Sequence, residues 1–296
     1  MQNIFNPALS ECTQDSLTHT VADLSEQMRI SEYLRTRLGL SVTLIKRVKY
    51  GGVFLNGENV HMRATVQNGD RIEIRFPEEA SEGIPPMDLP LEILYEDAHL
   101  IAVCKPRNMP THPSKGNSLP TLANAVMHYF GEDFTFRAIT RLDRDTSGIV
   151  LIAKTQYAAA RLSEDMKAGK FKKIYTAIVG GVPEEKEGRI DAPIRREREG
   201  EMRRIVAEDG KRAVTDYQVI QVRKDGNAVL SLRLHTGRTH QIRVHMAHIG
   251  HPLLGDFLYG TKSEDGYFLH CREMEIPHPI TGKILTIVSK PSFLDE

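Results

Sequence analysis

The sequence predicts an α+β protein in two parts: a small domain, then a larger one built on a mixed, mainly antiparallel sheet. Three observations predict it. Residues 28–77 hold two short amphipathic helices and two strands entered through tight turns, a compact unit by themselves. A proline-rich and acidic run, Pro77 to Pro90, follows. From Leu91 on, short strands outnumber helices and keep no strand–helix–strand rhythm, which argues against a doubly wound sheet.

Residues 1–27 are polar and weakly periodic, with Glu11, Asp15, Asp23 and Glu26 and no Lys or Arg, and read as a mobile tail. In residues 28–77, Ile30, Tyr33, Leu34 and Leu38 have the spacing of an amphipathic helix, with Gly39 as its C-cap. Ser41 caps a second helix, Val42 to about Tyr50, which carries Lys46, Arg47 and Lys49 near one side. Val53-Phe54-Leu55 runs into an Asn56-Gly57 turn, and Asn68-Gly69-Asp70 precedes the alternating strand Arg71 to Arg75. Residues 78–90 read as an extended, unpacked linker that lets the domains move relative to each other.

Residues 91–296 form the larger domain. Strands are expected at Leu91–Tyr95, Leu100–Lys105, Arg137–Ile139, Ile149–Ala153, Lys172–Gly180, Val214–Val222, Ala228–Leu234, Phe268–Cys271 and Ile284–Val288. Helices are expected at Leu122–Phe130, Tyr157–Lys170 and Thr239–Ile249, the last with Thr239 as N-cap and Gly250 as C-cap. The charge run Ile194 to Arg204 reads as a solvated hairpin or loop that can also grip RNA.

The most informative stretch is Ala138 to Thr155. A polar loop, Thr140 to Gly148, carries two arginines and two aspartates and leads into the continuous apolar run Ile149 to Ala153, the mark of a strand buried on both faces. A charged loop fixed at both ends is a common way for a scaffold to present reactive groups. Asp143 stands between Arg141 and Arg144, and neighbouring cations favour an ionised carboxylate that can serve as nucleophile or base. The same residue types also make an ordinary strand-to-strand turn.

The totals narrow the class. The 296 residues carry 39 Lys plus Arg against 39 Asp plus Glu, so the average charge announces no partner. The distribution does: residues 28–76 hold nine basic residues against four acidic, a local face suited to phosphates. No apolar run approaches a membrane span, and the N-terminus lacks the pattern of a signal peptide. Cys12, Cys104 and Cys271 are isolated, which fits neither a disulfide framework nor a zinc motif and suggests a reducing cytoplasm. His240, His245, His248 and His251 raise a zinc reading, but only Asp256 stands nearby at ligand spacing.

Arg141-Leu-Asp-Arg-Asp-Thr-Ser-Gly148 resembles the signature loop of the RluA/RluD family of pseudouridine synthases, with Thr140 where the family usually has His. The resemblance implies that Asp143 is the catalytic aspartate. The strand Lys173-Ile-Tyr175-Thr-Ala177-Ile-Val179 is similar to the family's strand beside that loop, which implies that Lys173 lies by the substrate and Tyr175 stacks on the target base. Thr236-Gly-Arg238-Thr-His240-Gln-Ile-Arg243 is a second match. It implies that Arg243 holds Asp143 in a charge-assisted fork, while Arg238 and His240 touch RNA phosphate or sugar. Leu269, in Leu-His-Cys, takes the place of a leucine that packs on the base. The stretches His251 to Asp256 and His278 to Gly282 complete a likeness running from about Leu91 to Pro291.

The small domain resembles an S4 RNA-binding domain, and Lys46, Arg47 and Lys49 lie on the helix such domains lay on RNA. Together the resemblances imply an enzyme that isomerises uridines in structured RNA, ribosomal RNA before transfer RNA. No cofactor, membrane or obligate protein partner is implied, and a cytoplasmic location is expected. The target base must leave its stack; Arg141 is the candidate to fill the gap, with Thr146 and Ser147 near the RNA backbone. Asp143 could add to sugar or base, or remove a sugar proton; both routes stay open here.

Overall fold

A computed structural model describes residues 10–13, 15–79, 83–113, 120–131, 133–264 and 266–294. The small domain is built on a five-stranded sheet in the order Ser10–Cys12, Ser16–Thr20, Arg71–Arg75, Val53–Leu55, Glu58–Asn59. The helices Ile30–Thr36 and Val42–Val48 pack Ile30, Leu34, Leu44 and Val48 against Val53, Ile72 and Ile74. Ser41 caps the second helix, accepting the Leu44 N–H at 3.1 Å. Asn56 and Gly57 both take positive φ, as a two-residue hairpin loop requires.

The expected tail is in part sheet, its first nine positions lying outside the described residues. Ser16–Thr20 pairs antiparallel with Arg71–Arg75; Leu17 is fully buried and His19 bonds the Tyr33 hydroxyl at 2.7 Å. Leu17 and His19 alternate with Ser16, Thr18 and Thr20, so a period-two strand pattern was present, masked by its hydroxyl residues.

The linker is packed rather than free. Glu79 lies between Arg47 and Arg137, 2.6 Å from each; Ile84 is buried; the Pro85 carbonyl accepts the Asn124 amide at 2.8 Å. The domains also touch directly. Tyr157 is buried in the small domain's core and donates its hydroxyl to the Leu38 carbonyl at 2.7 Å, and Gln156 donates to the Pro77 carbonyl. Pulling the domains apart would break the Tyr157 hydrogen bond, worth about 0.5–1.5 kcal/mol net, and expose the Tyr157 ring to water. The expected relative motion is therefore opposed by this interface.

The larger domain is a ten-stranded sheet. Its path runs Glu187–Asp191, Val214–Val222, Ala228–Leu234, Lys172–Val179, Leu269–Pro277, Ser147–Ala153, Leu100–Lys105, Glu92–Glu96, with Arg137–Ala138 beside Ser147–Ala153 and Ile284–Val288 beside Leu269–Pro277. Every pairing but one is antiparallel; Ser147–Ala153 and Leu269–Pro277 run parallel. The run Ile149 to Ala153 is buried on both faces as expected. Ile149 and Leu151 pack with the helix Gln156–Lys167, and Val150 and Ile152 with the helix Leu122–Phe130. The charge run is a hairpin, Ile194–Arg196 paired with Arg204–Val206. No helix among the described residues is long and apolar enough to cross a membrane.

Candidate active site

The loop before Ser147–Ala153 is held by its backbone on both sides of Asp143. Thr111 donates its hydroxyl to the Leu142 carbonyl at 2.9 Å and accepts the Leu142 N–H at 3.2 Å. The Arg144 carbonyl accepts from Lys105 Nζ at 3.0 Å and from the Met109 N–H at 3.1 Å. Lys105 is fully buried, and its amine also reaches the Pro106 and Met109 carbonyls. Burial pushes its pKa down to about 7, against the pull of Asp145 and Asp143. With both neighbouring peptides fixed, Asp143 projects into a cleft of about 1040 Å³ with a third of its side chain exposed. Gly148 lets the strand start there: at φ +104 it lies against Cys271, whose carbonyl oxygen a Cβ would strike.

Arg243 stands on the helix Gln241–His248, nearly fully buried. Its Nε and one terminal nitrogen bond Asp256 at 2.7 and 2.8 Å, while the other terminal nitrogen lies 3.5 Å from Asp143. The expected fork to Asp143 is thus a fork to Asp256, with Asp143 as a third and looser partner. The physical reason is burial: Asp256 has no exposed surface and must be paired, whereas Asp143 is part wet. Burial opposes the charge on Arg243, but Asp256, Tyr267 and Asp143 outweigh it and raise the pKa. The guanidinium also lies over the Tyr267 ring, 4.3 Å from its centre.

Thr239 is not the cap of this helix. His240 holds that position in the left-handed region, φ 59 and ψ 19, without capping through its side chain. Its ring is turned instead to the Tyr259 hydroxyl, 2.8 Å away, and to Asp143, 3.8 Å away.

Tyr175 and Leu269 form the apolar wall of the cleft next to Asp143. Burial, then Cys271 and Asp143, push the Tyr175 phenol well above its ordinary pKa, so it stays a protonated donor. Lys173 lies in the same cleft, its pKa lowered by burial. Arg141 and Arg238 are exposed at the mouth, and Arg238 donates to the Arg212 carbonyl at 3.0 Å.

Thr146 and Ser147 are both buried; Thr146 lines the cleft and bonds the Tyr267 hydroxyl at 3.1 Å, whereas Ser147 lies outside it and bonds His270 at 2.9 Å. Lys46, Arg47 and Lys49 are exposed on the small domain, outside the cleft, with Arg47 paired to Glu79 and Lys49 over the Tyr50 ring. Sequence reasoning missed Asp256, Tyr259 and Thr111. A buried arginine signals that a buried carboxylate exists, but turn-rich sequence around Asp256 hid which one. Among the described residues no three His, Cys, Asp or Glu stand close enough to hold a metal ion. Of the histidines behind the zinc reading, His245 bonds Thr215 and the Ala192 carbonyl, and His251 bonds the Gly180 carbonyl.

The cleft thus brings together Tyr175, Leu269, the Arg243 guanidinium and a carboxylate anchored at its backbone. Residues 99–248 match the family model described as RNA pseudouridylate synthase. The chain is 41% identical to the RNA pseudouridine synthase YjbO of Bacillus subtilis, over 86% of this chain and 92% of the relative. It is 38% identical to the ribosomal large subunit pseudouridine synthase D of Pasteurella multocida, over 79% and 78% of the two chains. Its fold is similar to human RNA pseudouridylate synthase domain containing 1, with a TM-score of 0.59 and 27% identity over 70% of this chain and 85% of that one.

Proposed function

The chain belongs to the RNA pseudouridine synthase family and isomerises uridine to pseudouridine in RNA; we propose that its substrate is ribosomal RNA and that Asp143 is the catalytic carboxylate. The observation that supports this most directly is Asp143 itself, part exposed in the cleft between Tyr175, Leu269 and the Arg243 guanidinium. The reaction breaks the bond from ribose C1′ to N1 and makes one from C1′ to C5. Product and substrate have the same atoms, so it balances without a redox or group-donating cofactor.

A stacked uridine cannot reach Asp143, so it is flipped into the cleft, and Arg141 at the mouth takes its place in the helix. Tyr175 stacks on the base and offers its protonated hydroxyl; Leu269 closes the far side. Arg243 keeps the carboxylate oriented. Lys173, Arg238 and His240 line the path of the RNA strand. The small domain is read as an S4 module over residues 28–77, with Lys46, Arg47 and Lys49 gripping phosphates away from the cleft. Relatives named as ribosomal large subunit pseudouridine synthases support the choice of ribosomal RNA, and such a substrate implies work in the cytoplasm.

A pseudouridine map of total RNA tests this in three strains: wild type, deletion, and Asp143→Ala. Ribosomal sites that vanish in the deletion and stay absent with Asp143→Ala are the expected result. Lost sites confined to transfer RNA would reassign the substrate, and their return with Asp143→Ala would reassign the carboxylate.

A further inference from the structure

His240 is held in a strained state between two groups. A non-glycine residue at φ 59 costs free energy and persists where surrounding contacts fix it, often at functional sites. The contacts here are specific. Nδ1 lies 2.8 Å from the Tyr259 hydroxyl, Nε2 lies 3.8 Å from the Asp143 carboxylate, and the side chain is 12% exposed. The Tyr259 oxygen has a second bond: it accepts the backbone N–H of Arg204 at 2.9 Å. Arg204 opens the return strand of the arginine-rich hairpin.

The phenol oxygen already accepts from Arg204, and its own hydrogen can be given to Nδ1, which lies 2.8 Å away. In a neutral imidazole, an accepting Nδ1 leaves the proton on Nε2, the nitrogen that faces Asp143. The charges around the ring come from every side: Asp143 from the loop, Arg243 from the helix, Arg204 from the hairpin, Asp256 from the segment after the helix. Burial, with the two arginines, favours the neutral ring, and the two aspartates oppose it.

We propose that His240 is a positioning residue for Asp143: its Nε2–H faces the carboxylate, and the Tyr259 hydroxyl, itself fixed by the hairpin, keeps the proton on that nitrogen. The inference rests on Asp143 being the catalytic carboxylate. At 3.8 Å the pair is beyond hydrogen-bond length, as catalytic contacts often are before substrate tightens them. His240 thereby acts on Asp143 as well as lining the cleft. It also links Asp143, through one hydroxyl, to the hairpin that carries Arg195, Arg196, Arg198 and Arg203.

The test uses the full-length protein. Nitrogen-15 NMR of labelled histidines, with His240→Gln to assign the signal, is expected to show the Nε2–H form of His240 at neutral pH. Tyr259→Phe, which keeps the ring, is expected to lower kcat by about tenfold to a hundredfold with KM for RNA unchanged. His240→Gln, which retains a terminal N–H, should keep more kcat than His240→Leu. An Nδ1–H form in the wild type overturns the inference. So does wild-type kcat in Tyr259→Phe, or a loss seen in KM alone, while Asp143→Ala is inactive. Activity in Asp143→Ala would instead remove the reading of the carboxylate, and this inference with it.

Discussion

Arg243 gives the fork of its guanidinium to Asp256, at 2.7 and 2.8 Å, and keeps a third nitrogen 3.5 Å from Asp143. A fully buried carboxylate fixes the cation, and the part-exposed one is held less tightly, as the proposed role of Asp143 requires.

Asp256→Asn tests that division. It leaves a buried guanidinium without its counter-charge, which typically destabilises by about 3–5 kcal/mol. Urea unfolding should show a loss of that order, and kcat should fall with it. A variant as stable and active as the wild type would mean that Asp256 does not hold Arg243.

Asp143→Asn should remove activity by about four orders of magnitude or more, the scale seen when an essential catalytic side chain is lost. Its side chain is a third exposed and its backbone anchors are untouched, so unfolding free energy should change by less than about 1 kcal/mol. RNA affinity should be retained in a filter-binding assay. Lost activity together with lost folding would return Asp143 to a structural role.

Gly148→Ala should destabilise the larger domain by about 2 kcal/mol or more. The position needs φ +104 and has the Cys271 backbone where a methyl would go. Thermal unfolding gives the readout, and an unchanged melting temperature would contradict the parallel pairing of Ser147–Ala153 with Leu269–Pro277.

Lys46→Ala with Lys49→Ala should weaken RNA binding and shrink the salt dependence of its logarithm by about two, one per lost phosphate contact. Titrations at several salt concentrations measure it. An unchanged slope would show that this helix does not meet RNA.

Stability should fall as pH drops from about 6.5 towards 4. Burial lowers His19 and His270 from an ordinary 6.5 to about 4 each. Between those values the unfolded chain binds protons that the folded one refuses, so protonation favours unfolding. Calorimetry across that range should show a falling melting temperature, with a shallower slope in His270→Asn. A flat profile would mean that these rings are not held neutral.

Much of the site was legible because its chemistry is local. Asp143, the apolar run Ile149 to Ala153 and the alternating strand with Lys173 and Tyr175 are contiguous patterns, and each lies where its pattern predicted. Ser41 and the Asn56-Gly57 turn were legible for the same reason: a cap or a two-residue loop is satisfied within a few residues. The burial of Thr146 and Ser147 was not legible, because hydroxyl residues in a turn look exposed. Here their bonds go inward to Tyr267 and His270, which lie more than 120 residues further along the chain.

The sequence by itself determined the α+β class, the charged loop that carries Asp143 and the alternating strand that carries Lys173 and Tyr175. Periodicity and turn chemistry act over a few residues, and a chain carries them without folding. Only the tertiary structure decided that Asp256 rather than Asp143 takes the fork, that residues 16–20 complete the small sheet, and that the linker is packed. Those outcomes depend on which of several chemically equivalent partners is deepest buried. Depth is a property of the whole packed chain, and no window of sequence contains it.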